Sequence, residues 1–210
     1  MRIKLKELTE AVNNPVSFRR AMRNPPDSSF VPRGYFSALR ESAFYFHKND
    51  EDRIEAEQCL ERKLDYFTST SRSTVLKKQN IRDQFDWYIR EYFASNFVTF
   101  QWQLNVVFNI SRSELSNLEL SGQICRMDIN PAGGYMIWQF RGSNYSGWMQ
   151  DVQMPIIQQE MAKSLNCSPL DINIGIISFA ENFIESHKFS SQEIQEAEDE
   201  IIQLYLQLSN

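Results

Sequence analysis

The chain has 210 residues, of which 42% are hydrophobic and 13% aromatic, and its formal net charge is −5; this composition supports one hydrophobic core and favours a single domain. No apolar run approaches the ~20 residues that a membrane span needs, and the first residues lack the apolar segment of a signal peptide, so we expect a cytoplasmic protein with no membrane partner. Three cysteines without C-x-x-C spacing (Cys59, Cys125 and Cys167) argue against a disulfide framework and against a zinc site.

Charge is unevenly distributed along the chain. Residues 1–40 contain eight Lys or Arg against three acids, whereas residues 148–210 contain ten acids against two lysines. A DNA backbone attracts a basic surface, so the N-terminal region, including Arg19 and Arg20, is a candidate DNA contact. The alternative explanation of this charge distribution is that these residues lie on solvated helix faces, whose charges offset each other within the fold. Because the total is acidic, a protein partner is at least as well supported as DNA.

The N-terminal half is predicted to be helical. A short helix over residues 4–13 should stop at Pro15, residues 24–33 are rich in helix breakers, and two or three helices should follow within residues 34–95. In the last of these helices, apolar side chains recur at helical spacing: Ile81, Phe85, Tyr88, Ile89, Tyr92 and Phe93. We interpret His47 as a partly exposed structural histidine.

The C-terminal half is predicted to contain a sheet. Three segments alternate well enough to form an antiparallel meander: residues 97–110, 118–129 and 134–140. Residues 131–134 supply the positive-φ positions of a tight turn, and residues 172–179 have the composition of a buried strand. Ser190 and Glu193 have the spacing of a capping box, which predicts a closing helix after them.

These elements predict an α/β fold, in which a mixed sheet containing an antiparallel meander is flanked by helices. Residues 1–95 would form a helical N-terminal region, packed on a core formed by residues 96–210. The two parts would together make one compact domain.

The segment between Leu120 and Gly142 carries a family resemblance. It reads LSGQICRMD, a Gly-rich turn and then YMIWQFRG, and it resembles the catalytic hairpin of RecB-like nucleases of the PD-(D/E)XK superfamily. In that family, an acid after the Gly and an acid on the second strand hold a divalent metal, and a Lys two residues further on helps to activate water. The corresponding residues here are Cys125, Gln139 and Arg141. A hard cation such as Mg²⁺ needs anionic oxygen ligands, so the resemblance implies a site without its metal chemistry.

Two further segments extend this resemblance over most of the chain. Residues 151–158, DVQMPIIQ, resemble the family's D-x-Q-L-P-L-Y helix, whose Gln approaches the DNA backbone or the metal site; that Gln is Gln153. Residues 5–19 resemble the opening segment of RecB-like and related repair nucleases. Asn14 stands where some members have the first cysteine of an iron–sulfur cluster, so we expect no such cluster. The fold implied is a restriction-endonuclease-like core.

The leading hypothesis is a catalytically inactive pseudonuclease. It would act as a binding or scaffolding subunit in a DNA-processing or genome-defence system, with no cofactor and no bound metal. Arg141 keeps a positive charge and can hold a phosphate without acting as a base. The loop over residues 141–148 could contribute further ligand contacts through Asn144 and Trp148, beside Gln153, although a ligand-free loop between a strand and a helix has the same composition.

Two alternatives remain open. The first is a nuclease dependent on Mg²⁺ or Mn²⁺ with a migrated active site, which would recruit Asp128, Glu119 or Asp151 together with these residues: Gln139, Arg141 and Gln153. Asp128 lies three residues from Cys125 and on a regular strand would face the opposite side, so a bulge would have to re-aim it. The second alternative is an unrelated α/β interaction protein. A common cleft for Cys125, Gln139, Arg141 and Gln153 would argue against this second alternative.

Overall fold

The structure, a computed structural model, describes residues 1–23, 34–110, 118–143 and 147–209. Within these ranges the helices are α1 (Leu5–Asn13), α2 (Pro15–Arg23), α3 (Tyr35–Lys48), α4 (Arg53–Leu64), α5 (Arg72–Ala94), α6 (Gln153–Leu165) and α7 (Ser191–Ser209). The strands are β1 (Arg2–Lys4), β2 (Val98–Ile110), β3 (Leu118–Ile129), β4 (Tyr135–Arg141), β5 (Ile172–Ser178) and β6 (Phe183–His187). No helix in the described ranges combines the length and the apolar composition that crossing a bilayer requires.

All six strands belong to one mixed sheet. Its order is β1-β3-β4-β5-β6, and β2 pairs with β3. The meander β2-β3-β4 is antiparallel, as the sequence predicts, while β4 and β5 are parallel and β5 and β6 antiparallel. The predicted α/β class and the mixed sheet are therefore confirmed. Strands β1 and β6 were not expected from the sequence, and β1 runs parallel to β3.

Helices cover both faces of the sheet. Ile137 packs in a hydrophobic cluster with residues of α1, α6 and α7, whereas the next residue, Trp138, packs in a second cluster with residues of α3, α4 and α5. Successive residues of a strand point to opposite faces, so the two clusters lie on opposite sides. Ile3 and Leu8 belong to the first cluster. The first residues of the chain therefore pack with the C-terminal helices. The boundary between the two hydrophobic clusters does not follow the predicted division of the chain at residue 95.

Local sequence signals explain several element ends. The predicted short helix is confirmed as α1, which ends at Asn13 just before Pro15. Pro15 also begins α2, because a proline at the first helical position lacks only an N–H that would have no helical partner. The predicted capping box at the start of α7 is confirmed: Ser190 N donates to Glu193 Oε2 at 2.7 Å, and Glu193 N donates to Ser190 Oγ at 3.3 Å. Gly133 and Gly134 take positive φ in the predicted turn.

Gly175 on β5 gives a test of the packing between the sheet and Trp138. An added Cβ would overlap the Trp138 ring and lie 3.1 Å from the carbonyl oxygen of Glu185. Overpacking a well-filled core costs about 1–3 kcal/mol, so we expect Gly175→Ala to lower the free energy of unfolding by that amount in urea denaturation. Gly147→Ala is the matched control, because its Cβ would meet only the end of the Gln150 side chain at 3.5 Å. Equal stability of the two variants would contradict the packing described.

A basic cleft as the candidate functional site

A gap along one edge of β3 creates the cleft. Strand β2 occupies the whole of the other edge, so β1 and β4 share this one. Strand β1 pairs with residues 119–121 and β4 with residues 126–129, which leaves residues 122–125 without a strand neighbour on this edge among the described strands. Backbone groups in such a gap need other partners. Gln139 Nε2 donates to the carbonyl oxygen of Gln123 at 3.3 Å, and Phe140 N donates to the thiol sulfur of Cys125 at 3.3 Å.

Gly122 allows α1 to begin inside this gap. A Cβ at this position would lie 2.6 Å from Cδ1 of Leu5 and 3.0 Å from its Cβ. The first turn of α1 therefore packs directly on the backbone of β3. The resulting cleft has a volume of about 500 Å³.

The cleft is strongly basic. Among the described residues, five cationic side chains and no acidic side chain line it, and the cations are Arg2, Lys4, Lys6, Arg40 and Arg141. Arg2 lies 4.0 Å from Glu119, and Lys4 lies 3.3 Å from Glu7, so exposed acids beside the cleft offset part of this charge.

The five cations form two groups. Arg2, Lys4 and Lys6 are exposed, whereas Arg40 and Arg141 are partly buried. Charges in a partly desolvated recess are screened less by salt than those on an open surface. We therefore expect Arg40 and Arg141 to attract anions more strongly than the three exposed cations do.

Neutral polar groups lie between these cations. Cys125 Sγ lies 3.8 Å from Gln139 Oε1, and both side chains are buried. Burial raises the pKa of the Cys125 thiol, with smaller opposing effects from a backbone hydrogen bond, Arg141 and Arg40. Gln153 Nε2 donates to Asp151 Oδ2 at 2.9 Å, and burial raises the pKa of that carboxyl.

The chemistry of this lining suits an anion better than a cation. A protonated thiol and uncharged amides offer few ligands to Mg²⁺, whereas guanidinium and ammonium groups bind phosphate oxygens. In the part of the chain that the structure describes, no group of three or more His, Cys, Asp or Glu is placed to hold a metal ion.

Four residues singled out from the sequence line this one cleft: Cys125, Gln139, Arg141 and Gln153. Strands β3 and β4 contribute the first three, and the start of α6 contributes Gln153. Asn144 lies outside the described residues. Arg40 and the basic residues around β1 were missed as members of the site, because a three-residue strand carries too weak a pattern to show that residues 2–4 pair with β3.

Trp148 packs in the core and does not line the cleft, whereas the sequence predicts that it contacts a ligand. Its side chain is fully buried, its Nε1 donates to Glu185 Oε2 at 2.7 Å, and its ring contacts Phe189 edge-on. Arg19 and Arg20 also do not line the cleft; they lie on α2. The cations that do reach the cleft from the N-terminal region are nearer its start.

Asp128 faces the same side of the sheet as Cys125. Ile124 and Met127 both belong to the cluster with α1, whereas Cys125 belongs to the cluster with α5. The regular alternation is therefore broken between residues 124 and 127, as the migrated-site hypothesis requires. Asp128 nevertheless does not line the cleft.

The carboxylate of Asp128 is fully buried and is held by three side chains. It accepts hydrogen bonds from Arg126 Nη2 at 2.8 Å, Trp138 Nε1 at 2.7 Å and Thr99 Oγ1 at 2.7 Å. The guanidinium of Arg126 lies over the rings of Tyr88, Tyr92 and Trp138 at 5.1–5.6 Å from their centroids. Asp128 therefore serves an internal ion pair.

His47 is part of the same network and is buried, contrary to the partly exposed position expected from the sequence. Arg126 Nη1 donates to the hydroxyl of Tyr88 at 2.9 Å, so the hydroxyl hydrogen is free to bond His47 Nε2 at 2.5 Å. When the Tyr88 hydroxyl donates this bond, Nε2 accepts it and the neutral ring carries its proton on Nδ1. Burial, with a smaller contribution from Arg126, lowers the pKa of His47 well below its usual value.

Comparisons with known proteins add little to this geometry. Neither a family model nor a curated protein matches the sequence. A solved structure described as "Crystal structure of SSO0001" is similar to 95% of this chain and 84% of that chain, with 9% sequence identity and a TM-score of 0.32. A likeness at this level supports no conclusion about fold or function.

Removing the charge of Asp128 should destabilise the fold severely. Asp128→Asn leaves Arg126 buried without its carboxylate, and breaking a buried pair in this way costs about 3–5 kcal/mol of unfolding free energy. The matched control is Glu119→Gln, which breaks a solvent-exposed pair and should cost at most about 1 kcal/mol. Urea denaturation of both variants measures the difference, and comparable losses would show that the buried pair has no special role.

The buried His47 predicts a pH dependence of stability. Its pKa in the fold lies well below the unfolded value of 6.5, so the unfolded chain binds a proton that the folded protein does not. The free energy of unfolding that depends on neutral His47 is fully present above this unfolded pKa and is lost as the pH falls below it. We expect the decline in unfolding free energy between about pH 6.5 and pH 5.5 to be shallower in His47→Gln than in the wild type. Parallel curves for the two proteins would contradict the buried neutral state.

Proposed function

We propose that the protein is a catalytically inactive, RecB-like member of the PD-(D/E)XK superfamily that binds nucleic acid as a non-cleaving subunit. The observation that carries this proposal is the lining of the cleft. At the place where the resemblance implies a metal and its carboxylates, five cations converge and, among the described residues, no carboxylate does. Such a cleft binds phosphates and lacks ligands for a catalytic metal.

The arrangement of elements supports the resemblance. The hairpin β3–β4 is followed by α6, which begins at Gln153, and then by β5, which pairs in parallel with β4. The resemblance implies that the hairpin positions and Gln153 face one site. Cys125, Gln139, Arg141 and Gln153 line one cleft, which supports this proposal over an unrelated interaction protein.

A nuclease with a migrated active site has less support. The three acids available to it are separated: Asp128 is enclosed in its network, Glu119 is half-exposed beside Arg2, and Asp151 is bonded to Gln153. None of the three lines the cleft.

A scaffolding role in a DNA-processing or genome-defence system would require a protein partner as well. Helix α7 offers a suitable surface, since five acids and no Lys or Arg lie along it: Glu193, Glu196, Glu198, Asp199 and Glu200. A basic surface on a partner protein would complement this helix without competing for the basic cleft.

Binding without cleavage is the expected behaviour of the purified protein. We expect single-stranded and duplex DNA to bind in the presence of Mg²⁺, Mn²⁺ or a chelator alike, with affinity falling as salt rises, and to remain intact. Arg141→Ala should weaken binding about tenfold, because a charge-assisted phosphate contact is lost. Fluorescence anisotropy measures the binding, and denaturing gels measure cleavage.

The matched control is Arg90→Ala, which removes an exposed cation on α5 outside the cleft. It should leave the affinity within about twofold of the wild type, because Arg90 does not line the cleft, and it should leave the fold stable, because a surface ion pair contributes little. Metal-dependent cleavage of either DNA would replace the proposal with an active nuclease. Absence of DNA binding would leave only the protein-scaffold role.

A further inference from the structure

The two partly buried guanidinium groups of the cleft come from a strand of the sheet and from a helix that packs on it. Arg141 ends β4, and Arg40 reaches the cleft from α3. Helix α3 is fixed close to the end of β4, because Phe36 packs so tightly on Gly142 that an added Cβ would overlap its ring. Both guanidiniums act electrostatically on the thiol of Cys125. The positions of Arg40 and Arg141 are therefore set by packing of the surrounding backbone.

One hydrogen-bond donor of the Arg40 side chain has no acceptor among the described residues. Its Nε is buried and has no hydrogen-bond partner among the described residues. A guanidinium nitrogen can only donate, and leaving a buried charged donor unpaired is costly. Asp151 offsets part of the charge of Arg141. An anion in the cleft would provide an acceptor for the Arg40 guanidinium, whose enclosed Nε would have to turn toward the cleft to use it.

The shape of the sheet restricts what can reach this position. The gap in β3 is closed at one end by pairing of Ser121 with Lys4 and at the other by pairing of Arg126 with Trp138. A nucleic-acid strand lying along β3 would meet one of these closures. The end of a strand can enter the gap from the open side.

We propose that Arg40 and Arg141 form a subsite for the phosphomonoester at the end of a nucleic-acid strand. This inference rests on the proposed function, since it names the part of the nucleic acid that the cleft selects. A terminal phosphate carries close to two negative charges at neutral pH and three free oxygens. An internal phosphodiester has one charge and two free oxygens. Two guanidinium groups match the terminal group better, because each binds a phosphate through paired N–H donors.

The exposed cations would have a different role in this arrangement. Arg2, Lys4 and Lys6 lie on β1 and the first turn of α1, at the outer part of the cleft. They would contact the phosphodiesters that follow the terminal group. Their contribution to affinity would therefore be the same whether or not the strand carries a terminal phosphate.

The test compares one single-stranded oligonucleotide with a 5′-phosphate, a 3′-phosphate or hydroxyl groups at both ends. We expect the wild type to bind one of the phosphorylated forms about tenfold more tightly than the hydroxyl form, which is the effect of one good charge-assisted contact. Arg40→Gln should reduce this ratio to near one, and Arg40→Lys should restore part of it. Lys6→Gln is the matched control, and it should weaken binding of all three forms while keeping the ratio.

The binding results distinguish a failure of the terminal-phosphate subsite from a failure of the proposed function. Equal affinity of the wild type for all three forms would overturn the terminal subsite while the nucleic-acid function stands. If no oligonucleotide binds, the proposed function fails, and inorganic phosphate then tests the subsite alone by calorimetry. Phosphate binding that Arg40→Gln abolishes would support an anion subsite filled by a free phosphate, and absence of phosphate binding would overturn the subsite as well. Thermal melting of each variant confirms that it is folded.

Discussion

The interrupted edge of β3 is the constraint on which the rest of the structure depends. One edge of this strand is fully paired with β2, and the other is shared by β1 and β4 with a gap between them. The gap exists because β1 ends at Lys4, α1 begins at once, and Gly122 lets the helix pack on the strand. Beside the same gap, the largely buried side chains of Cys125 and Gln139 line a recess that the basic residues surround. The topology thus creates both the cleft and its charge.

A buried ion pair anchors β3 to the helical layer behind this cleft. Arg126 and Asp128 leave the regular alternation of the strand and bind each other, Trp138 and Tyr88. Removing two charges from water is unfavourable, and the pair is stable only because these hydrogen bonds and the aromatic rings compensate. The acid that resembles a displaced catalytic residue therefore holds the sheet to α5. The ion pair with Arg126 thus gives Asp128 a structural role in the fold.

Most of the fold could be predicted from sequence patterns, and the cleft only in part. The meander, the strand at residues 172–178 and the capped α7 follow from alternation and local capping, which act over short distances. The family resemblance brought Cys125, Gln139, Arg141 and Gln153 together, because it carries spatial information that periodicity lacks. Arg40 could not be found in this way, since its position depends on the packing of Phe36 against Gly142. Trp148 was misplaced for a related reason: an indole in a loop suggests a ligand contact, and its hydrogen bond to Glu185 on β6 is not visible in the sequence.

We propose that the cleft holds an anion at the place where the nucleases it resembles hold a metal. The most direct measurement is a crystal structure of the protein with Mn²⁺ and a 5′-phosphorylated dinucleotide, with data collected at a wavelength where manganese scatters anomalously. The account predicts phosphate density between Arg40 and Arg141 and no anomalous peak in the cleft. A manganese peak beside Gln139 or Gln153, ligated by a carboxylate that has moved into the cleft, would contradict it.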